Sequence, residues 1–507
     1  MPFFDTYDIV FARGGTAACI IAGRLAQADP SLKILVTYQA ESWALTLNLP
    51  ARFLNSLIKG HTVSHHRSVQ SKALGGRSVC VPSACCVVGG GSAVNFMIYT
   101  RPAASDYDDW AKLGNPGQWG SESLIPLARK VETYQEPSGN PSVHGFSGPI
   151  KVSKGGCDTN IGREFLETAA PQYDKDREAS PSADLNDFQT INVYAPWHKY
   201  IDSQTGKRSD TAHHFLYNLA NFILDPSESK HNVHVSTNLR VVRRNSRAIG
   251  VEYVAREDMN SEHRLQPRMA YASRLVVLSS GAFGSGIGSA KRLAEAVDIR
   301  SPQFVDLPGV GENYNDHNLC VTLYLASEDS DCLDAIFSGD EEAIKLESDH
   351  LNNGQFRSTS EGVARGRLRA SSTQTRDLNC DQPRAPEELE ELGPAFKSLQ
   401  AGCNLGDFHN SPTGCKTFGM NFVTAYPKAC VWSGEPESGG RISVTSNLEI
   451  LSLIFFVDIS IAPLNVGANT NSTALVIGEK AFLLIADDLG ISLKCTQATR
   501  EFKGPDV

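Results

Sequence analysis

The sequence predicts an α/β protein built around a Rossmann-like, doubly wound domain. Three observations point there: a strand–glycine turn–helix–strand unit opens the chain, a glycine-rich loop follows at Gly89–Gly91, and strand-like runs recur far downstream.

Tyr7 to Phe11 is an apolar strand, and Gly14 with Gly15 makes the turn after it. Ala17 to Ala28 carries apolar residues at helical spacing, Asp29-Pro30 stops that helix, and Lys33 to Thr37 forms a second strand. A turn of this kind sets the free N–H groups of the helix N-terminus against a pyrophosphate. The full G-x-G-x-x-G/A pattern would occupy residues 13 to 18, where Gly15 and Ala18 fit but Arg13 replaces the first glycine. The acidic residue expected at the end of the second strand, to hold ribose hydroxyls, is replaced by Tyr38, with Glu41 three residues on. Taken alone, this incomplete pattern fits an ordinary β-α-β unit as well as a nucleotide site.

The glycine-rich loop is the more informative element. Leu74-Gly75-Gly76-Arg77 leads to Val88-Gly89-Gly90-Gly91-Ser92-Ala93-Val94-Asn95-Phe96-Met97, flanked by apolar residues on both sides. Glycines there let the backbone approach a ligand and offer it several N–H donors. Asp106 to Trp110 opens a polar segment, with Trp110 expected to pack beneath it. Further strands are expected at Asn232–Thr237, Ala248–Val254 and Arg274–Leu278, the last running into Ser279-Ser280-Gly281. A Glu-rich stretch from Pro386 to Leu392 reads as a solvated helix face.

With 507 residues and 41% hydrophobic content, the chain can bury a large core and more than one domain. A net charge of −10 argues against nucleic acid as a partner, because phosphate binding needs clustered Lys and Arg. The twelve cysteines are irregularly spaced, without CxxC or a zinc-like Cys/His pattern, so free thiols and no metal are expected. Met1 to Asp8 does not read as a secretory signal, and the tail Lys503 to Val507 does not read as a peroxisomal ending. The apolar run Ile450–Ala462 is interrupted by Ser452, Asp458 and Ser460, too short and polar to span a bilayer. An intracellular, cytoplasmic protein that does not insert in membranes is the expectation.

Three stretches, in this order, resemble the glucose–methanol–choline (GMC) oxidoreductases, and within them the fungal alcohol oxidase branch. They are Gly89–Tyr99 with Asp106-Tyr107-Asp108; Gly206-Lys207-Arg208-Ser209-Asp210-Thr211-Ala212-His213; and Asn465-Val466-Gly467-Ala468-Asn469-Thr470, continuing through Gly478-Glu479-Lys480 to Asp487-Asp488-Leu489-Gly490. The resemblance implies FAD, held by a Rossmann-like domain assembled from residues 1–145, 232–317 and 446–507. An inserted α+β substrate domain with an antiparallel sheet would occupy 146–231 and 318–445. It places Gly14, Gly15 and Ala18 against the pyrophosphate, and Gly90, Gly91, Ser92 and Asn95 facing the flavin. Val241 would meet the adenine side through its backbone, and Asp458 would lie near the pyrophosphate and ribityl chain.

The implied chemistry is oxidation of a primary alcohol to an aldehyde, with hydride passing to flavin and dioxygen becoming hydrogen peroxide. Asn469 matches the family's residue that hydrogen-bonds the substrate oxygen. Its partner, a histidine base, should lie upstream of Asp458, but Thr445 to Val457 contains none and the last histidine of the chain is His409. The family's second signature is also broken after Gly284-Ser285. Two readings follow: an alcohol oxidase-like enzyme weakened by these departures, or a non-catalytic or defective FAD-binding homologue. Among the remaining residues, His317 reads as structural, His61, His65 and His66 as solvated, and Cys85 and Cys86 as packing residues. Adjacent His213 and His214 point to different helix faces and are assigned no chemistry.

Overall fold

The computed structural model describes residues 6–37, 67–70, 78–81, 87–112, 119–155, 160–164, 166–167, 180–182, 184–190, 193–217, 233–236, 250–253, 268–281, 314–316, 341–342, 345, 425–427 and 454–493. Strand β1 (Thr6–Ala12) leads through Arg13-Gly14-Gly15 into helix α1 (Thr16–Ala28), and β2 (Ile34–Thr37) returns beside β1 in parallel. The continuous apolar run Ile9–Ala12 in β1 is buried on both faces, as a central parallel strand requires. After the one-turn helix α2 (Gly91–Val94) and the short β3 (Ile98–Tyr99) come α3 (Ala104–Lys112) and α4 (Ser121–Val131). Strands β4 (Glu132–Tyr134) and β5 (Ile150–Val152) pair in parallel, while β6 (His198–Lys199) runs antiparallel to β3.

Strands distant in sequence complete the main sheet. These are β7 (Val233–Ser236), β8 (Gly250–Tyr253), β9 (Arg268–Leu278) and β10 (Ile454–Phe456). Across the six-stranded sheet the order is β7-β2-β1-β9, followed on one edge of β9 by β8 and β10. There β8 runs antiparallel along Arg268–Tyr271 and β10 parallel along Val276–Leu278. All the other neighbours are parallel. A parallel neighbour needs a crossover connection, and the switch of strand order on either side of β1 opens a crevice at the carboxyl ends.

One face of this sheet is covered by α1 and by α5 (Asn471–Asp488). The two helices cross closely at Gly478, where an added Cβ would lie 3.2 Å from the Ala17 Cα. Beside that crossing the buried Glu479 carboxylate takes Arg24 of α1 at 2.6 Å and Lys130 of α4 at 2.9 Å. A second apolar cluster joins Met97 and Tyr99 to Tyr134, Ile150, Val152 and Tyr200. Next to it lies a buried polar group: Arg101 pairs with Glu132, which also holds Tyr99 and His144, and His144 reaches Asp184 at 2.8 Å.

The structure adds detail to the sequence reading. The polar segment Asp106–Trp110 lies inside helix α3, with Asp106 accepting the Ala103 N–H at 3.0 Å in its first turn. Trp110 is buried edge-on against Tyr107, with its indole N–H donating to Leu464 O. The strand expected at Arg274 begins at Arg268, because Met269 to Tyr271 pair with β8. Tyr38, His61, His65, His66, Cys85, Cys86, Val241, His317, the Pro386–Leu392 stretch and the strand expected at Arg441–Val444 lie outside the described residues. No helix among the described residues is long and apolar enough to cross a membrane, and they contain no His/Cys/Asp/Glu cluster that could hold a metal.

Candidate active site

The carboxyl ends of β1, β9 and β10 converge, and each contributes a turn. From β1 comes Arg13, whose φ of 78° is the left-handed conformation that the missing glycine would adopt without strain. Its N–H donates to Thr37 Oγ1 at 3.1 Å, and that hydroxyl donates to Phe11 O. The next two glycines are required by close approach. A Cβ on Gly14 would come within 2.8 Å of Val36 Cγ1, and one on Gly15 within 3.0 Å of Ser279 O. Ala18, one turn into α1, is fully buried in the core beneath.

The Gly89–Ser92 loop lies on that turn. Gly89 N–H donates to Gly14 O at 2.8 Å, and Thr16 Oγ1 donates to Gly89 O at 2.9 Å. Gly90 has φ 53°, and a Cβ on it would come 3.0 Å from the Gly15 Cα. Gly91 differs: a Cβ there would meet nothing within 4 Å, so this part of the loop borders open space. The Ser92 hydroxyl is held inside the protein, by Gly89 O at 2.8 Å and Thr211 Oγ1 at 2.9 Å, and it accepts the Thr211 N–H. Asn95 Oδ1 accepts from Met97 N–H and from Arg208 at 2.9 Å. Burial pushes the Arg208 guanidinium down to about 10 against the opposing pull of Asp210. Burial also pushes the Cys19 thiol up to about 12, so it stays protonated beneath the loop.

From the other side, Ser279 N–H donates to Ala12 O and its hydroxyl to Val457 O, joining the three strand ends. Asp458 is buried; its carboxylate accepts Gly281 N–H at 3.0 Å and Ser460 N–H at 2.9 Å. Gly281, at φ 71°, also borders open space. Farther along, Asn469 stands just before α5 and meets Thr100 at the end of β3. The Thr100 hydroxyl donates to Asn469 Oδ1 at 2.7 Å and accepts the Asn469 N–H at 3.0 Å.

Gly14, Gly15, Gly90 and Asp458 thus meet at the carboxyl ends of β1, β9 and β10, Gly91 and Ser92 follow in the same loop, Asn95 ends α2, and Asn469 is fixed to Thr100. The sequence reading missed the partners: Thr211 against Ser92, Arg208 against Asn95, and Thr100 against Asn469. It also missed an acid–imidazole pair, His213 Nδ1 to Asp210 Oδ2 at 2.6 Å, which the i,i+3 spacing could have revealed.

The profile of the family described as GMC oxidoreductase matches residues 7–319, more than half of the chain. The chain belongs to the GMC oxidoreductase family. An alcohol oxidase of Candida boidinii is 36% identical over 68% of this chain and 51% of its own length. An alcohol oxidase of Pichia angusta is 33% identical over 84% of this chain and 64% of its own length. The chain therefore spans less than two thirds of the length of these relatives. Among solved structures, an FAD-dependent oxidoreductase from Chaetomium thermophilum superposes with TM-score 0.63 at 18% identity, over 96% of this chain and all of that one. A formate oxidase gives TM-score 0.65 at 15% identity, over 95% of this chain and 98% of that one. These likenesses agree with the mixed sheet and its parallel strands.

FAD is the cofactor of this family, and the residues present fit it. Gly15 begins α1 without a side-chain cap among the described residues, the open faces at Gly91 and Gly281 leave room nearby, and the Asp458 carboxylate is fixed by Gly281 and Ser460. Arg13 fits less well than glycine, since its left-handed conformation carries strain at the turn after β1.

Proposed function

We propose that this GMC oxidoreductase binds FAD and oxidises a primary CH–OH group to an aldehyde, as the alcohol oxidases it resembles are named for doing, with dioxygen as acceptor. The observation that carries this reading is the meeting of the Gly14–Gly15 turn, the Gly89–Ser92 loop and Asp458 at the carboxyl ends of parallel strands. Gly14, Gly15 and Ala18 would place α1 against the pyrophosphate. Gly90, Gly91, Ser92 and Asn95 would border the isoalloxazine, with Ser92 acting through its backbone because its hydroxyl is engaged by Thr211. Asp458 would line the ribityl side, and Val241 the adenine side. FAD, when bound, supplies the acceptor for the hydride leaving the carbinol carbon, and dioxygen takes the electron pair on as hydrogen peroxide.

The chain's own part is to orient the alcohol, whose hydroxyl proton leaves to water where the family's histidine is missing. Asn469 would hydrogen-bond the substrate oxygen without competing for the proton. The histidine that takes that proton in the family motif has no counterpart between Thr445 and Val457. General-base catalysis contributes about 10²–10⁴-fold, so turnover slower by that order is expected. The same sequence fact favours a second reading, an FAD-binding homologue that does not turn over. We further assign residues 1–145, 232–317 and 446–507 to the FAD-binding domain and 146–231 and 318–445 to an inserted substrate domain.

The visible absorption spectrum of the purified protein tests these readings, recorded before and after adding a short primary alcohol without oxygen. Flavin bands that bleach support the enzyme, and bands that persist support the non-catalytic binder. A colourless protein that stays colourless after incubation with FAD overturns both.

A further inference from the structure

Thr100 and Asn469 are 369 positions apart, yet each satisfies the other twice. The Thr100 side chain is buried at the end of β3. Its carbonyl accepts the Ser472 hydroxyl at 2.8 Å, and the same hydroxyl lies 3.3 Å from Asn469 O, so α5's first turn braces both residues. A threonine hydroxyl has one hydrogen and two lone pairs. One lone pair takes the Asn469 backbone N–H, and the hydrogen is directed to the carboxamide oxygen 2.7 Å away. Exchanging the amide's O and N would leave the buried hydroxyl hydrogen without this acceptor, a cost that favours the observed orientation. The carboxamide is therefore held in one of its two orientations, with its NH2 turned away from Thr100.

We propose that Thr100 is a positioning residue for the alcohol: by holding Asn469 Oδ1 it keeps the Asn469 NH2, rather than its carbonyl, directed toward the substrate oxygen. The proposal rests on the reading of Asn469 as the residue that meets that oxygen. As the hydroxyl proton and the carbinol hydride leave, negative charge grows on the oxygen, and an oriented donor stabilises it where an amide carbonyl would repel it. A freely turning carboxamide would have to be ordered in each encounter, whereas the Thr100 bond orders it in advance.

The test uses the FAD-loaded full chain and trifluoroethanol, a poorly oxidisable alcohol, whose dissociation constant is read from the perturbation of the flavin bands. Thr100→Val keeps the shape and removes the hydroxyl, while Thr100→Ser restores it. The expected result is a loss of affinity of about 5–20-fold in Thr100→Val, near-complete recovery in Thr100→Ser, and no further loss when Thr100→Val is added to Asn469→Ala. Far-UV circular dichroism and flavin content confirm that each variant is folded and loaded. If Asn469→Ala weakens trifluoroethanol binding but Thr100→Val does not, or if the two losses add, the positioning role is overturned while the reading of Asn469 stands. If Asn469→Ala binds trifluoroethanol as the parent does, the reading of Asn469 fails and the proposal with it. Should Thr100→Val lose its flavin, Thr100→Ala and Thr100→Ser are compared on the same readout; equal affinity in those two overturns the proposal.

Discussion

Arg13 holds a left-handed backbone at φ 78°, a conformation that costs a residue with a Cβ about 1–2 kcal/mol. Arg13→Gly removes that cost, and the greater freedom of glycine in the unfolded chain offsets part of the gain. A net stabilisation of about 1 kcal/mol is expected by chemical denaturation, and a midpoint at or below that of the parent contradicts it. Ser92→Ala should lose about 1–2 kcal/mol, because the Thr211 hydroxyl and N–H both lose a buried partner. Two buried histidines give opposite pH slopes. Burial would lower His144, but its bonds to Asp184 and Glu132 outweigh burial and raise it above its ordinary 6.5. Its contribution is complete below that value and is lost as pH rises through the raised one. His198, hydrogen-bonded to Tyr134, is pushed by burial down to about 4, so its contribution is complete above 6.5 and is lost as pH falls toward 4. For Glu132 and Asp184 burial opposes ionisation, but Arg101 beside the first and His144 beside the second leave both below the ordinary carboxylate range, so their contributions too fade in acid. Thermal unfolding against pH should show His144→Asn flattening the alkaline limb and His198→Asn the limb between about 4 and 6.5; limbs unchanged from the parent would refute the assignment. At this scale the sequence makes Arg13 visible, because the turn pattern assigns glycine to that position. It hides Thr211 and Thr100, since nothing in a lone threonine tells which distant loop it will meet.

Helices α1, α4 and α5 meet at Glu479, a carboxylate with no exposure that is paired with Arg24 and Lys130. Removing one member of such a group leaves the others buried without compensation, which typically costs about 3–5 kcal/mol. Arg24 and Lys130 keep partial contact with water, so Glu479→Gln is expected to cost the lower part of that range, read from urea denaturation. A loss under about 1 kcal/mol would mean that the apolar crossing at Gly478, and not the ion group, joins the helices. The strand–turn–helix–strand unit can be read from sequence because its periods are local. The pairing of β9 with β1, and the partners β10 and β7, cannot, since register is set by contacts between segments hundreds of residues apart. Helix α3 shows in composition only as a polar segment, because its buried residues are Tyr107 and Trp110 among acidic ones.

For the whole molecule, ligand linkage gives the clearest expectation. A cofactor that binds only the native state adds RT ln(1 + [L]/Kd), about 2.7 kcal/mol at a hundredfold excess over Kd. FAD titrated into the flavin-free chain should therefore raise its Tm in a concentration-dependent way, and Arg13→Gly should reach the same Tm at lower FAD. A Tm indifferent to FAD would contradict binding in the crevice. The sheet itself has a consequence for how the protein is made. Its central strand β1 is made before its neighbour at residues 268–278, and the next strand arrives only with residues 454–456. Until then the carboxyl edge of β9 has no parallel neighbour there, and an unpaired strand edge in a half-made chain invites pairing with other chains. Such long-range parallel closure is slow, so synthesis at lower temperature, or with a chaperone that shields nascent edges, should raise the soluble fraction more than any single stabilising substitution.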